Sequence, residues 1–530
     1  MKSIMKHMFS EVPKINIPRS RFDRSFGYKS TFDAGGLIPF FVDEALPGDT
    51  YAVKMAAFAR LATPIYPIMD NMRIETFFFA VPNRLVWDNW ARFCGERKSP
   101  NDSVDYLVPE VEITNAPNES IYDYVGLPTK ISAAYKVSAL PFRAINLIWN
   151  EWFRDQNLQT PLTVNTGNGP DTQATYSIPK RGKRHDYFTS CLPWLQKGDA
   201  IQLSLGESAP ISGLGKQTTN FPGTNGAFYE TDDQTGAVTY PRYSTFGTTA
   251  DYIWGGRGTN ATGGFPDVYA DLSKATSSTV NELRQAIQVQ RILERDARAG
   301  TRYTEIVQSH FGVISPDARL QRPEYLGGGS SPVNISPVAK TVSDGTNNFT
   351  GELGAFGTVG FTDHGFTKSF TEHCIIIGFM NVRADLTYQH GIEKFWNRQT
   401  RFDFYWPTLA HLGEQAVLNK EIFISDGTIP DGTAEEVFGY QERYAEYRYK
   451  PSKITGKMRS NDAQSLDAWH LSQNFVNQPM LVDIFIEENP PIDRVIAIPT
   501  EPHFIFDSYI AMSCVRPMPV YSVPGLIDHF

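Results

Sequence analysis

The chain has 530 residues, of which 20% are charged and 13% are aromatic, with 41 glycines and 35 prolines. This composition is poor in the charged surface of a helix bundle and rich in turn formers and rings, so it predicts a loop-heavy, mainly β protein. The formal net charge of −9 excludes binding to nucleic acid through overall charge, so any such contact must be a local basic patch.

The cysteines and the apolar stretches indicate the cellular compartment in which the protein is made. Cys94, Cys191, Cys374 and Cys514 are far apart and form no CxxC pair, which argues against a disulfide scaffold or a zinc ribbon and fits a reducing environment. The first residues lack the continuous apolar core of a signal peptide, and the apolar run 374–382 is too short to span a bilayer. We therefore expect a soluble protein made in the cytosol, without membrane insertion.

Residues 1–50 are predicted to form an extended basic arm. The first thirty residues hold seven cations against the two anions Glu11 and Asp23, and the prolines Pro13 and Pro18 favour extended chain over helix. Such an arm can bind nucleic acid or lie across a neighbouring subunit, and the sequence leaves both possibilities open.

Three regular elements are predicted in the next part of the chain. RIETFFFAVP (73–82) has the pattern of a strand, and LVWDNWARFCGE (85–96) that of a short amphipathic helix. LPFRAINLIWNEW (140–152) is a second helix, with Ile145, Ile148, Trp149 and Trp152 at helical spacing on a core face.

The character of the chain changes over residues 205–266. Gly, Thr, Asn, Ser and Tyr dominate there without helical periodicity, and a loop of this length inside a compact protein is functional or disordered. Its many rings argue against plain disorder, so we interpret it as an inserted surface protrusion with a small β-fold of its own. The flanking segments 51–204 and 267–530 form the main domain.

A helix and a glycine-rich segment follow the insertion. Thr279 and Glu282 form a capping-box pattern, Leu283, Ile287 and Leu293 mark an apolar face, and Gly300 supplies a stop. After Leu326 the chain reads GGGSSPVNISP, without helical pattern. We expect this segment to be a loop or a flat strap against an adjacent subunit.

The most informative stretch is the basic tract Tyr440–Arg459, YQERYAEYRYKPSKITGKMR. Six cations stand against two anions, and four tyrosines are threaded among them. Rings that stack on bases, set among cations that pair with phosphates, suit a sequence-tolerant single-strand surface. The alternative is a pair of half-buried strands whose rings pack inward while the cations are solvated.

No catalytic constellation is present in the sequence. GLGKQT (213–218) resembles a phosphate loop, but Pro210 replaces the leading Gly and Gln217 replaces the Ser/Thr that should follow Lys216. His364, His373 and Cys374 fit no standard zinc spacing and are better explained as core or edge residues. The neighbours Glu487 and Glu488 are expected to point to opposite faces of a strand, so a shared site is not expected. We expect no enzyme, no cofactor and no metal; a structural divalent ion at an interface is not predicted.

Several segments closely resemble the major capsid proteins of the microviruses, which are small single-stranded DNA bacteriophages, and specifically the gokushovirus branch. They are spread along the chain on both sides of the insertion: RSFGYKSTFDAGGLIPFFVDEALPGDT (24–50), RIETFFFAVPNRLVWDNW (73–90), VQRILERDARAGTRYTEIVQSHFGVISPDARLQRPEYLGGG (289–329), HGIEKFWNRQTRFDFYWP (390–407), GYQERYAEYRYKPSKITG (439–456) and RPMPVYSVPGLIDHF (516–530).

The resemblance implies an eight-stranded antiparallel jelly roll with long inter-strand loops, assembled through pentamers into a T=1 icosahedral shell of sixty copies around circular single-stranded DNA. It implies that the insertion projects at the three-fold axes and meets a bacterial surface receptor. It also implies three partner proteins: a minor DNA-pilot protein, an internal scaffolding protein and a small basic DNA-packaging protein. Assembly is expected in the host cytoplasm.

Two sets of candidate site residues follow. The predicted DNA-facing residues on the inner surface are Arg448, Lys450, Lys453, Lys457, Tyr444, Tyr447, Arg19, Arg21 and Arg24. The predicted host-contact residues are Phe228, Tyr229, Tyr240, Tyr243, Tyr252 and Trp254. The alternatives from other classes are a trimeric β-rich phage adhesin or carbohydrate-binding protein, and a glycan-active enzyme, which would need a paired-carboxylate cleft that the sequence does not show.

Overall fold

The computed structural model describes residues 18–199, 201, 211–212, 214–217, 252–255, 269–270, 280–341, 350–424 and 435–521. The chain forms two compact units. The larger one comprises Met1–Leu195 with Arg298–Phe530, and the smaller one comprises Gln196–Ala297.

The described residues contain eighteen strands and eight α-helices. The strands are β1 (Ser20–Asp23), β2 (Phe26–Phe32), β3 (Ile38–Ala45), β4 (Thr50–Leu61), β5 (Met72–Pro82), β6 (Glu110–Ile113), β7 (Tyr135–Ser138), β8 (Ile211–Ser212), β9 (Leu214–Gln217), β10 (Tyr252–Gly255), β11 (Tyr269–Ala270), β12 (Glu324–Pro332), β13 (Asn334–Ala339), β14 (Leu353–Ser369), β15 (Cys374–Ala384), β16 (Glu414–Leu418), β17 (Val437–Glu442) and β18 (Phe504–Arg516). The helices are α1 (Asn83–Val86), α2 (Trp90–Phe93), α3 (Ile121–Tyr124), α4 (Leu140–Ile148), α5 (Val280–Ala299), α6 (Tyr303–Phe311), α7 (Asn419–Ile422) and α8 (Asp483–Ile486).

Two antiparallel sheets form the body of the larger unit, so the prediction of a mainly β protein is confirmed. The first sheet has the order β1-β18-β4-β14-β13, and β2 also pairs with β18. The second sheet has the order β12-β5-β15-β3. The strand predicted at 73–82 is β5, and the apolar run 374–382 lies in β15. Almost every residue of β15 is buried, as expected for a strand that is covered on both faces.

The second sheet is covered on both faces by two hydrophobic clusters. One cluster joins the two sheets and includes Tyr51, Phe78 and Phe504. The other covers the opposite face of the second sheet, where Phe79 packs with residues of α4. The helix predicted at 140–152 is confirmed as α4, which continues as a π turn over Trp149–Phe153. The side chains of Ile145 and Ile148 are fully buried.

A buried ion pair joins α4 to the loop that follows it. The Arg143 guanidinium donates to both carboxylate oxygens of Asp171 at 2.7 and 2.8 Å, and also to the carbonyls of Val86 and Gly167. Asp171 accepts further hydrogen bonds from the Tyr176 hydroxyl at 2.5 Å and from the Asn165 amide at 2.7 Å. Burial by itself would raise the pKa of Asp171, but the hydrogen bonds from Arg143 and Tyr176 outweigh burial and lower that pKa.

The segment predicted as an N-terminal arm is part of the body from Ser20 onward. Strands β1 and β2 pair with β18, and β3 pairs with β15. The chain there is extended, as predicted, but its partners are strands of its own chain. Any arm separate from the body therefore lies before Ser20, and residues 1–17 are outside the described part of the chain.

Two other sequence predictions need correction. The single helix predicted at 85–96 is replaced by α1 and α2, because Trp87 between them has extended backbone angles, φ −152° and ψ 113°. The buried Trp87 ring fixes this break by donating from its Nε1 to Asn168 Oδ1 at 2.8 Å. The segment after Leu326, expected to be a loop or a strap, is instead strand β12, which pairs with β5 of its own chain. Its contact with an adjacent subunit stays a prediction.

Gly328 in β12 shows why this segment needs glycine. A Cβ atom at that position would collide with the carbonyl oxygen of Thr76 in β5. Gly328→Ala is therefore expected to lower the free energy of unfolding by about 1–3 kcal/mol, as overpacking does, measured by urea denaturation. Gly360→Ala is the matched control, because a Cβ there meets its nearest atom, the Ala57 carbonyl oxygen, at an ordinary 3.9 Å. Equal stability of the two variants would contradict the prediction.

The smaller unit is described only in part. It contains residues 205–266, whose predicted role as an inserted surface protrusion stays a prediction. Its described strands form two antiparallel pairs, β9 with β10 and β8 with β11. Lys216 lies in β9 and not between a strand and a helix, as a phosphate loop would require. The predicted helix is confirmed as α5, and Gly300 follows it with a φ of +99°.

Candidate nucleic-acid interface

The fold brings the basic tract against a second segment, Glu393–Pro407, which we call the aromatic segment. The Tyr444 hydroxyl donates to the Phe404 carbonyl at 3.0 Å, and the Tyr405 backbone N–H donates to the Tyr447 hydroxyl oxygen at 3.2 Å. The Arg443 guanidinium donates to the Phe402 carbonyl at 3.0 Å. These contacts join two stretches about forty residues apart into one surface.

The tract begins as a strand and then turns. Strand β17 pairs with β16 and ends at Glu442, and the chain reverses at Tyr444, whose φ is +62°. The Tyr444 backbone N–H donates to the Gln415 side-chain oxygen at 3.0 Å, and the side chain is 3% exposed. The prediction that Tyr444 faces DNA is therefore corrected, because its ring is packed inside the protein.

The other rings of this surface are open to solvent. Eight aromatic side chains between 41 and 70% exposed lie on the two segments: Phe395, Trp396, Phe402, Phe404, Tyr405, Trp406, Tyr447 and Tyr449. Patches of this kind mark interaction sites. Of these eight, only Tyr447 is a site residue predicted from the sequence. The run FWNRQTRFDFYW was the available signal for the rest, but nothing local in the sequence shows that it lies beside the tract.

The cations of the tract are held in place by a small number of carboxylates. Lys450 and Lys453 both pair with Glu393, each at 2.7 Å. Burial would raise the pKa of Glu393, but the hydrogen bonds and charges of the two ammonium groups lower it below its usual value. Two ammonium groups thus share one carboxylate, which leaves a net positive charge at the surface that can attract a phosphate.

The remaining candidate cations have different environments. Arg448 pairs with Glu442 and donates to the Arg443 carbonyl. The Lys457 ammonium donates to the Gln464 side-chain oxygen at 3.3 Å and forms no ion pair within the described residues. Of the four cations of the tract that are predicted to face DNA, Lys457 is therefore the least restrained by the protein.

A cavity of about 610 Å³ lies between the two segments. Its lining includes the exposed rings of Trp396 and Tyr449 together with Lys450 and Lys453. Arg398 is almost fully buried in its wall, where it pairs with Glu446 at 3.2 Å and stacks on Tyr447 at 4.1 Å. Of the residues predicted from the sequence, Tyr447, Lys450 and Lys453 line this cavity, whereas Tyr444, Arg448 and Lys457 are not part of its lining.

The N-terminal candidates lie elsewhere in the fold. Arg24 forms a two-pronged ion pair with Asp43, at 2.6 and 3.0 Å. Arg21 donates to the Ser513 hydroxyl at 2.7 Å, and Arg19 donates to the Gly48 carbonyl at 2.5 Å. The structure therefore does not bring these three arginines together with the tract.

The predicted host-contact residues are only partly described. Phe228, Tyr229, Tyr240 and Tyr243 lie outside the described residues. Tyr252 and Trp254 belong to strand β10, which pairs with β9. Their role in contacting a host stays a prediction.

His364 and the neighbouring carboxylates Glu487 and Glu488 lie in environments that explain them without catalysis or metal binding. His364 is buried; its Nδ1 lies 2.9 Å from the Thr76 hydroxyl and its Nε2 3.0 Å from the Ser331 hydroxyl. It is the satisfied core histidine that the sequence favoured. Glu488 is buried, and burial raises its pKa to about 7, whereas Glu487 is only half-buried. Across the described ranges, no three His, Cys, Asp or Glu side chains form a cluster that could hold a metal ion.

Comparisons with known proteins match nearly the whole chain to capsid proteins. The family described as capsid protein (F protein) matches residues 10–526. Capsid protein VP1 of Bdellovibrio phage phiMH2K is 47% identical over 99% of this chain and 98% of its own length. Capsid protein VP1 of Chlamydia phage 1 is 46% identical over the same shares, and that of Spiroplasma virus 4 is 35% identical over 98% of this chain and 97% of its own length.

None of the helices in the part of the chain that the structure describes is long and apolar enough to cross a bilayer. The open aromatic surface suits a protein that acts through its contacts. The match over nearly the full chain decides the class: the chain belongs to the capsid protein (F protein) family and is a structural major capsid protein of a bacteriophage, not an enzyme.

Proposed function

We propose that this protein folds as a viral jelly roll and assembles through pentamers into a T=1 shell of sixty copies around circular single-stranded DNA. Its family makes it a self-assembling component of the virion shell. The strand orders support the jelly roll: β2-β18-β4-β14 in one sheet and β3-β15-β5-β12 in the other. Along the chain these eight strands change sheet at every step except the one from β5 to β12, as two Greek keys require.

We further propose that the surface made by the tract and the aromatic segment contacts the genome inside the shell. The observation that carries this proposal is the mixture of exposed rings with Lys450, Lys453 and Lys457. Rings stack on any base, and ammonium groups pair with the backbone, so the contact tolerates every sequence of the genome. A buried subunit seam would instead be depleted of lysine at its centre.

The net charge supports a role for basic partners. A shell protein of charge −9 cannot neutralise a packaged genome through a few local cations, so a small basic DNA-packaging protein is proposed to do so. A minor DNA-pilot protein and an internal scaffolding protein complete the proposed set, with assembly in the host cytoplasm. Electron micrographs of the purified protein test the shell: uniform isometric particles are expected, whereas sedimentation as trimers would favour the adhesin alternative.

The N-terminal residues provide a separate test of assembly. Deleting residues 1–25 would remove β1 and the Arg24–Asp43 ion pair. A failure of that variant to form shells could therefore result from misfolding of the subunit as well as from lost contacts between subunits. Deleting residues 1–17 leaves the strand and the ion pair in place. We expect the shorter deletion to give subunits with an unchanged melting temperature that fail to form shells, as measured by sedimentation. Normal shells from this variant would contradict a role for the arm between subunits.

The insertion is proposed to project at the three-fold axes and to contact a bacterial surface receptor. Replacing residues 210–262 with a short Gly-Ser linker is expected to leave shell formation intact and to abolish infection, because the receptor contact is lost. Plaque assays combined with electron microscopy measure the two effects separately. Failure to assemble would show instead that the insertion clamps the shell.

A further inference from the structure

A second cavity, outside the tract, is lined by an unusual number of cations. Its volume is about 580 Å³, within the range typical of small-molecule sites. It lies on the face of the second sheet that carries Phe77 and Phe79, next to the end of the π turn after α4 and the start of α6. Six cations line it: Arg154, Arg181, Lys183, Arg184, Arg302 and Arg383. The only acids in its lining are Asp155 and Glu305.

The acids behind the cavity wall compensate only some of these cations. Glu75 pairs with Arg181, Arg184 and Arg383. Arg184 also pairs with Asp385, and Arg302 with Glu305. Glu488 influences Arg181, Lys183 and Arg383 electrostatically, but it forms no ion pair with them within the described residues.

Two of the cations are left without a carboxylate partner among the described residues. Lys183 is 8% exposed, and its ammonium rests 4.5 Å from the centre of the Phe485 ring. Arg154 donates to the Gln159 carbonyl at 2.8 Å, but its buried Nε–H donates to no described group. The buried Nε atoms of Arg302 and Arg383 also lack a hydrogen-bond partner. Buried donors without partners are costly, which is a reason to expect that something occupies this site.

The pKa values of the cavity cations also indicate that an anion would be stabilised here. Burial lowers the pKa of Arg154, with the charge of Arg302 as the next cause, and burial together with Arg383 lowers the pKa of Arg181 to about 10. Burial also lowers the pKa values of Lys183 and Arg383. The positive charge in this cavity is therefore under-compensated, and an anion that entered would relieve the repulsion.

We propose that this cavity binds the phosphate group of a nucleotide, with the sugar or base against the rings of Phe153 and Tyr325 at the wall. Arginine forks match the geometry of phosphate oxygens, and the buried Nε–H groups of Arg154, Arg302 and Arg383 have no hydrogen-bond partner among the described residues. The site is separate from the tract, so the claim does not depend on the genome contact proposed there. The phosphate can come from a free nucleotide or from the packaged strand.

Calorimetric titration of the purified subunit at low salt tests this site, with inorganic phosphate, thymidine monophosphate and a short oligothymidylate as probes. Binding of the two small probes alone assigns the site to free nucleotides, and tighter binding of the oligomer assigns it to the strand. Lys183→Met and Arg154→Gln are each expected to weaken binding about tenfold or more, because each removes a charged donor. Lys29→Gln removes the same charge from the exposed face of the first sheet and is expected to change affinity less than about twofold.

Thermal melting of each variant without ligand separates a binding defect from a folding defect. If Lys183→Met is unstable, Arg154→Gln still provides the test. The proposal is overturned if none of the three probes binds at millimolar concentration, or if Lys29→Gln weakens binding as much as the cavity variants do. The assay uses the subunit alone, so its result is independent of whether shells form.

Discussion

Replacing Asp171 with alanine is expected to lower the free energy of unfolding of the subunit by about 3–5 kcal/mol. The substitution leaves the Arg143 guanidinium, which is fully buried, without its carboxylate. Arg143 keeps only the carbonyls of Val86 and Gly167 as acceptors, and Tyr176 loses the partner of its hydroxyl. Urea denaturation of the purified subunit measures the loss.

The same pair gives an expected pH dependence. Because the folded-state pKa of Asp171 is lowered, its contribution to stability is complete above the ordinary carboxyl pKa of about 3.9 and is lost as the pH falls through the lower folded-state value. The difference in free energy of unfolding between the wild-type protein and Asp171→Ala should therefore become smaller below about pH 4.

An exposed ion pair supplies the control for this experiment. Glu110→Gln removes the carboxylate that pairs with Lys136 on the surface and is expected to cost less than about 1 kcal/mol. If Asp171→Ala costs no more than Glu110→Gln, the buried pair does not hold α4 to its loop as we describe.

Replacing both Lys450 and Lys453 with glutamine is expected to weaken binding of single-stranded DNA about twentyfold near 0.1 M salt. The estimate follows from two lost phosphate contacts, each contributing about 0.7 to the slope of log affinity against log salt. Fluorescence anisotropy of a labelled oligonucleotide, titrated with salt, measures both quantities. Particles from this variant should form normally and contain less DNA.

Glu393→Gln is the informative partner of that variant, because it should act in the opposite direction. Glu393 holds both ammonium groups at 2.7 Å, so its neutralisation frees them for phosphate and should tighten DNA binding. If Glu393, Lys450 and Lys453 had a purely structural role, both variants would weaken DNA binding. Loss of shells with unchanged DNA affinity would identify the surface as an assembly seam.

Local patterns in the sequence predicted the elements whose causes are local. The strand at β5, the helices α4 and α5 and the core position of His364 all follow from apolar spacing and turn residues. The pairing of β2 with β18 joins residues almost five hundred positions apart, and no local pattern encodes it. The strand β12 was not predicted for the same reason: its glycines fit closely against Thr76, which lies about 250 positions earlier.

The sequence predicted the position of the candidate site in the chain but not all of the residues that form it. The tract was recognised because its charge differs from that of the whole chain. Alternating rings and charges could not show that Tyr444 turns inward at a positive φ while Tyr447 and Tyr449 stay exposed. The aromatic segment was missed because its relevance depends on a contact across about forty residues. Arg24 was predicted to face DNA, but both of its terminal nitrogens donate to the carboxylate of Asp43.

The most direct test of the genome contact is an electron cryo-microscopy reconstruction of DNA-filled particles. We predict a T=1 shell of jelly-roll subunits whose tract and aromatic segment line the interior, with density for nucleic acid against Trp396, Tyr449 and Lys457. A reconstruction that places this surface on the outside of the particle, or buries it between subunits away from the genome, would contradict this prediction.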